Sequence, residues 1–540
     1  MSRFGVIADS RSRQAGVGSG NDRGGASTDT LIIGVSGARQ NAAVAACVNG
    51  ELRAFCEQER LTRVRRVGLE PGSLPAEALD AVLRLAGGFQ PADIRSYVMA
   101  EDAAELPAAL SATRVGHHVG HAAAAYYASP FDAAAVLVCD QHSSEQVSVW
   151  SATPARLVSN NWPACPAGLD GFASLYSACS ALFGFLRGQE HQLEALARLA
   201  TGGDADRFND VIGYTDGALW TSPRWTSVVG EWLSDEAEAP LPHRARVASA
   251  FQQHLGRLLL MLVGDVRART DARHLCVGGG LFYNTYFNTL IRQSAIFDDV
   301  FVAPNPGNAG LAAGAALAMS ETRRERSPDA LSPFLGPRYD RDEIKAILDN
   351  CKLSYECLSE GEVIATTVDE LRRGRLVGWF QGRMEWGHRA LGNRSILASP
   401  LSPHVLENLN VFLKQRQRHR AYGLSVGEAD ATRYVLGPPT SRFMEYQYQL
   451  ADPGLFRHVT PEGATALRVQ TIPEGPEDGP FRRFRLLHKA FGDATGVPVL
   501  VNTSFNGFSE PIVCSPRDAV RVFYGTGLDM LVLDRFVIRK

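Results

Sequence analysis

The stretch LIIGVSGARQNAAVAACVNGEL, residues 31–52, reads as an apolar strand, a polar turn and a second strand. Ser, Gly and Asn interrupt its apolar run, and these residues favour turns. Short apolar runs of the same kind return in AAAVLVCD (133–140), HLCVGGGLFYN (274–284) and LVGWF (376–380). Helix-like stretches at 79–86, 245–268, 342–350 and 363–374 alternate with them. Such alternation predicts an α/β chain. Its 540 residues exceed the ~250–300 that one core supports, so at least two domains are expected. The polar, Pro- and Arg-rich segment 319–341 is the best boundary, between a half at 29–325 and a half at 340–540. Residues 1–28 are expected to be a disordered tail, because 8–28 are rich in Gly, Ser and Arg.

Bulk properties narrow the class. A net charge of −3 and a hydrophobic fraction of 45% predict an ordinary soluble globular protein, with no membrane and no nucleic-acid partner. No apolar run reaches the ~20 residues that span a bilayer. The N-terminus lacks the apolar core of a secretory signal. The nine cysteines are scattered without a C-x-x-C pair. That predicts reduced thiols and a cytoplasmic location, and argues against a structural zinc site.

Three C-terminal segments are rich in groups that bind anions. FQGRMEWGHRALGNRSILASP (380–400) interleaves Arg383, Arg389 and Arg394 with Gly382, Gly387 and Gly392. The guanidinium fork fits phosphate or carboxylate oxygens, and glycine lets a backbone come close to a ligand. In NLNVFLKQRQRHRAY (408–422), Lys414, Arg416, Arg418 and Arg420 recur at period two. On an extended strand they would share one face, as an anion site or as a basic edge that resists aggregation. PVLVNTSFNGFSEPIV (498–513) begins as a buried strand and breaks at Asn502. There Asn502, Thr503, Ser504 and Asn506 offer compact donors and acceptors. In the other half, His117 and His121 stand four apart, one face of a helix, and Asp140 ends a buried strand.

These segments resemble the C-terminal half of the NodU/CmcH/TobZ family of O-carbamoyltransferases. The matching strings are GRMEWGHRALGNRSIL, the K-x-R of Lys414 and Arg416, LRVQT around Arg468, and NTSFN followed by EPIV. Lys-x-Arg followed much later by Ser-x-Asn is also similar to YrdC-like domains, which make acyl-adenylates from ATP and a carbamate-type anion. The N-terminal strings LIIGVSGARQNAAVAACVNGEL, EQERLTRVRR (57–66), HHVGHAAAAYYASPF (117–131), HLCVGGGLFYN and PNPGNAGLAAGAAL (304–317) follow the same family's order. They resemble the actin-like (ASKHA) fold of TsaD, whose members bind a nucleotide and a metal ion.

The resemblance implies an ATP-dependent transfer of a carbamoyl group from carbamoyl phosphate, through carbamoyl-adenylate, to a hydroxyl or amine of a small molecule. It implies catalytic roles for Lys414, Arg416, Arg389 and His117. It implies nucleotide or acyl contacts for Arg383, Arg394, Arg468, Asn502, Ser504, Asn506, Gly278, Gly279, Gly280 and Asn284. Metal contacts fall to His117, His121, Asp140 and Asn308. The implied cofactors are ATP, Mg2+ in the C-terminal half and Fe2+ or another divalent metal in the N-terminal half. A homodimer is left open, and antibiotic biosynthesis is implied by the resemblance alone.

The chain departs from the family at several places. Gln40 and Asn41 stand where the family has a His–Asp pair, and neither takes a proton near neutral pH. Asn308 replaces an aspartate, which weakens the expected cation site. QHSSEQ (141–146) replaces a glycine-led string, so Glu145 becomes the stand-in for a glutamate and His142 a candidate extra ligand. His191 and Gln192 stand where a Gly–Lys pair is expected, and His388 stands for a proline. The alternative is a pseudo-transferase, whose C-terminal half activates carbamate while the N-terminal half serves as a binding domain or does altered acyl transfer. A tRNA-modifying enzyme lacks support from the charge, and a hydrogenase-maturation carbamoyltransferase would carry cysteine pairs.

Overall fold

A computed structural model describes residues 29–37, 40–100, 107, 110–143, 145–163, 171–200, 202, 204–234, 240–320 and 331–540. The tail expected at 1–28 lies outside the described residues.

The N-terminal half is built twice from one pattern. The first sheet contains β1 (Leu31–Ser36), β2 (Ala43–Val48), β3 (Glu51–Glu57), β4 (Ile94–Ala100) and β5 (Ala112–Val115), in the order β3-β2-β1-β4-β5. Strands β1 to β3 form an antiparallel meander, while β4 and β5 join parallel. The second sheet contains β6 (Ala134–Cys139), β7 (Val147–Thr153), β8 (Arg156–Asn160), β11 (His274–Gly278) and β12 (Asp299–Val302). Its order, β12-β11-β6-β7-β8, repeats the first when read from the other edge. A small hairpin of β9 (Ile212–Thr215) and β10 (Ala218–Thr221) lies between β8 and β11 in the chain. Duplicated mixed sheets of this kind are what the actin-like expectation requires. β1, β2 and β6 are buried along their whole length, as strands covered on both faces must be.

Two helices pass through the middle of this half, His117–Tyr127 and Leu311–Ala318. Their small residues set the spacing. A Cβ on Gly314 would stand 1.9 Å from the carbonyl oxygen of Gly120, and one on Gly34 would stand 1.9 Å from that of Ala312. Close approach here brings β1 and both helices together, with the first turn of His117–Tyr127 facing the end of β6.

The C-terminal half surrounds a ten-stranded mixed sheet. Its central strands are Val377–Phe380, Arg394–Ala398, Val499–Ser504 and Gly423–Gly427. The four expected helices form over Ala76–Ala86, Leu241–Thr270, Arg341–Asn350 and Glu360–Arg372. The last two open with capping boxes, from Asp340 and Ser359.

One local expectation is corrected. Residues 408–413 are a π-helical turn, not an extended strand, and the chain from 414 to 422 is irregular. Lys414 is buried, Arg418 is exposed and paired with Glu407, and Arg416 turns onto the ring of Tyr422. The four cations therefore do not share a face. The sequence is apolar enough at Leu409 and Leu413 to bury a helical stripe, and that burial overrides the alternating charge.

The halves are sewn together by polar contacts. Arg63 donates to the carbonyls of Pro511 (2.7 Å) and Ile512 (2.6 Å). Asn288 donates to the carbonyl of Glu445 at 3.0 Å, and Tyr446 to that of Val300 at 3.0 Å.

Candidate active-site cavity

A cavity of about 660 Å³ lies where the halves meet. From the N-terminal half it is lined by Gln40, Asn41, Glu57, Asp140, His142, His191, Gly280, Tyr283 and Asn308, among others. From the C-terminal half it is lined by His388, Arg389, Arg416, Ser504 and Asn506.

At one end, the first turn of helix His117–Tyr127 faces the tip of β6. His117 Nε2 lies 3.3 Å from Asp140 Oδ1 and 3.2 Å from His121 Nε2, and His121 Nε2 lies 3.6 Å from Asp140 Oδ2. All three residues are buried, and their ligand atoms lie within 4.8 Å of one another. Burial works to raise the Asp140 carboxyl, but hydrogen bonds to His117 and His142 and the nearby imidazoles hold it well below the usual range. Burial pushes His121 down to about 3. An ionised carboxylate beside a neutral imidazole lone pair is the donor set a divalent cation needs, so these residues fit one. The Asn308 amide bonds His121 and completes this end without adding charge.

The glycines 278–280 serve this end more than an open pocket. A Cβ on Gly279, where φ is +100°, would sit 2.2 Å from the carbonyl oxygen of Cys139. One on Gly278 would meet the His121 carbonyl at 3.0 Å. Gly280 N–H donates to Asp140 Oδ2 at 2.8 Å and faces the cavity. Asn284 caps the helix Thr285–Gln293 and donates to Gln252 Oε1 at 3.1 Å.

At the other end, Lys414 Nζ donates to the Ser504 carbonyl at 2.6 Å, the Asn506 carbonyl at 2.9 Å and Asn506 Oδ1 at 2.6 Å. Burial first, then the charge of Arg416, drives its ammonium well below the ordinary range. Arg416 Nε donates to Asn410 Oδ1 at 2.8 Å, while its guanidinium stacks 4.2 Å from the Tyr422 ring centre. K-x-R and S-x-N, ninety residues apart, thus form one cluster.

Between the ends lies an excess of positive charge. Arg468 is driven well below its ordinary range by burial and by Arg389 and Arg198, with Glu194 opposing. Arg389 is lowered to about 10 by burial, and its Nε has no hydrogen-bond partner. Glu194 accepts from Thr285 N (3.0 Å) and Thr285 Oγ1 (2.6 Å) and pairs with Arg198. One carboxylate among Arg198, Arg389, Arg420 and Arg468 leaves cationic charge that a polyphosphate would neutralise.

The three loop arginines lie in three different surroundings. Arg394 is fully buried and donates to the carbonyls of Gln381 (2.6 Å) and Pro337 (3.0 Å), with its guanidinium 3.5 Å from the Phe380 ring centre. It clamps the loop and meets no cavity. Arg383 faces a separate cavity and donates to the carbonyls of Arg53 and Leu335. Only Arg389 reaches the cavity described above. Glu385, the acidic neighbour, accepts the backbone N–H groups of Leu391, Asn393 and Arg394, so it folds the loop. Asn502 is buried in the sheet and donates to Gln470 Oε1 at 2.9 Å.

Sequence reasoning misses Glu57 and Tyr283. Glu57 lines the cavity, pairs with Arg60 at 2.5 Å and accepts from Asn305 at 3.0 Å. Burial, opposed by Arg60, raises its carboxyl to about 7. Tyr283 stacks edge-on against His388, ring centres 4.3 Å apart. Both His388 ring nitrogens are buried without a hydrogen-bond partner. Burial and the charges of Arg389 and Arg468 keep that ring neutral. His191 is exposed, but into the cavity, and burial followed by the charges of Arg420, Arg389 and Arg468 lowers it. The run EQERLTR carried Glu57 and Arg60 in plain view, yet nothing local in it announces burial.

Comparison with known proteins bears on this geometry. Family profiles described as "Carbamoyltransferase N-terminus" and "Carbamoyltransferase C-terminus" match residues 111–317 and 368–540. The chain is 28% identical to an uncharacterized protein of Synechocystis sp., across 95% of this chain and 97% of that one. It is 33% identical to nodulation protein NolO of Bradyrhizobium diazoefficiens, across 54% of each. It is 31% identical to 3'-hydroxymethylcephem-O-carbamoyltransferase of Amycolatopsis lactamdurans, across 49% of each. The match thus covers about half the length of nodulation protein NolO and of the cephem enzyme. No described helix is long and apolar enough to cross a membrane.

Proposed function

The chain belongs to the carbamoyltransferase family, and on that premise we propose that it makes carbamoyl-adenylate from carbamoyl phosphate and ATP and passes the carbamoyl group to a hydroxyl or amine of a small molecule. One observation carries the proposal. Ser504 and Asn506, with Lys414 behind Asn506, and Asp140, with His117 and His121 behind it, line the same cavity of about 660 Å³. A mixed anhydride hydrolyses in water, so two steps that share an enclosed space gain by it.

The chemistry balances in three stages. Carbamoyl phosphate loses its phosphate to water and leaves carbamate. A carbamate oxygen attacks the α-phosphorus of ATP, the bond to the β-phosphate oxygen breaks, and pyrophosphate leaves. The acceptor then attacks the carbamoyl carbon, AMP leaves with the bridging oxygen, and one proton is released. Arg389 and Arg416 line the cavity, and Arg468, buried near Arg389, adds positive charge that would offset charge building on the phosphates, while Lys414 fixes the loop that carries Ser504 and Asn506. A divalent cation at His117, His121 and Asp140 would polarise the carbamoyl oxygen. Gln40 and Asn41 line the cavity but take no proton, so a hydroxyl acceptor is activated weakly and an amine acceptor needs less help. The relative from Amycolatopsis lactamdurans is named as an O-carbamoyltransferase, which favours a hydroxyl as the acceptor class.

Pyrophosphate release from ATP, measured on the full chain with and without carbamoyl phosphate, tests the proposal. Release that depends on carbamoyl phosphate supports it. Release of ADP and phosphate, or no ATP turnover, removes it.

A further inference from the structure

Asp140 is met by a third imidazole. His142 Nδ1 lies 3.1 Å from Asp140 Oδ1, the oxygen that His117 Nε2 approaches at 3.3 Å. The His142 backbone N–H donates to that oxygen at 2.8 Å and fixes the loop so that the ring turns inward. The ring lines the cavity, one quarter exposed, and Asp140 is the partner it meets among the described residues. Three imidazoles therefore converge on one buried carboxylate.

For His117, His121 and Asp140 the spacing is that of ligands on one ion, and His142 stands at the same spacing from Asp140. Ligands held at ~2.1 Å stand ~3.0–3.4 Å apart along the edges of an octahedron or tetrahedron. The four separations here are 3.1, 3.2, 3.3 and 3.6 Å. Asn308 reaches the same cluster through His121, but an amide brings no charge.

We propose that His142 joins His117, His121 and Asp140 as the third nitrogen ligand of a divalent-cation site, taking the position that the Asn308 amide leaves weak. Three imidazoles and one carboxylate form a nitrogen-rich set. It selects Zn2+, Co2+ or Cu2+ over Mn2+ and Mg2+, because imidazole suits the former and oxygen the latter. Each ring would bind through a lone pair on the nitrogen that faces Asp140. The inference rests on the cation site and holds whatever the acceptor or the activating chemistry.

The test uses the full chain, stripped of metal by a chelator and titrated with Cu2+ or Co2+ alone. Electron paramagnetic resonance of the Cu2+ form counts coordinated nitrogens. The expected count is three for the native chain and two for His142→Ala. Co2+ affinity should fall by more than ~10²-fold in His142→Ala, beyond the ~10–100-fold cost of losing an outer hydrogen-bonding partner. His142→Gln, closer in size, should lose the nitrogen while circular dichroism stays native. Two nitrogens in the native chain, or native affinity in both variants, would place His142 outside the coordination sphere and overturn the inference. Because the count is made on the native chain, a variant that fails to fold does not decide the outcome.

Discussion

Lys414 and Asn506 lie ninety-two residues apart in sequence, yet Lys414 Nζ donates to both the side-chain and backbone oxygens of Asn506, at 2.6 and 2.9 Å. A buried ammonium in this position satisfies three acceptors and locks the loop that follows strand Val499–Ser504. Lys414→Met should remove the charge and loosen that loop together. We expect carbamoyl-phosphate-dependent pyrophosphate release to fall by ~10²–10³-fold, measured as the phosphate difference between samples with and without pyrophosphatase. Retention of activity within a few-fold would remove Lys414 from the site.

Arg394 should behave in the opposite way. It touches no cavity and pairs with carbonyls of Gln381, Gly382, Asn393 and Pro337. Arg394→Ala leaves those acceptors without a donor and should cost about 3–5 kcal/mol of stability. Thermal unfolding should shift down sharply. In whatever fraction remains folded, the KM for ATP should be close to native. A native melting point with a raised KM would return Arg394 to the ligand site.

Burial raises two carboxyls, Glu57 and Glu445, to about 7. Glu445 accepts from Phe443 N at 2.7 Å and from Ser441 Oγ at 3.3 Å. Between the ordinary glutamate range and pH 7 the folded chain holds more protons than the unfolded one. Their contribution to stability is complete below that range and is lost as pH rises through 7. Glu445→Gln should therefore flatten part of this slope and raise stability at pH 8 by about 1–3 kcal/mol. Glu57 keeps the remainder, since it titrates with the same sign. A variant with an unchanged pH profile would show that Glu445 is ionised in the fold.

The two departures near the transfer end can be reversed separately. Asn308→Asp adds a carboxylate beside His121, and Mn2+ affinity should rise by at least ~10-fold in a calorimetric titration. Gln40→His restores a proton acceptor in the cavity wall and should raise turnover with hydroxyl acceptors by ~10–10²-fold, leaving amines little changed. No change in either variant would mean that both positions lie apart from the chemistry.

Much of this architecture is written locally, and some of it is not. Strands such as β1 and β6 announce themselves, because a run buried on both faces must be continuously apolar. The His117/His121 pair is legible from helical spacing, and Lys414 with Ser504 and Asn506 from two short motifs. The roles of the loop arginines are not legible. Arg389 and Arg394 are five apart in the same loop, but what each meets is decided by Tyr283 on one side and Pro337 on the other. The alternating cations at 414–420 suggested a strand, and the buried Leu409 and Leu413 made a helical turn instead. Glu57 and Glu194 look like surface acids until Asn305 and Arg198 close over them.

The most direct measurement follows oxygen. The full chain would be given ATP and carbamoyl phosphate carrying oxygen-18 on both carbamoyl oxygens, and the AMP would be weighed by mass spectrometry. Attack of carbamate on the α-phosphorus followed by acyl transfer leaves one labelled oxygen in AMP. Unlabelled AMP, or ADP in its place, would contradict the adenylate route through the shared cavity.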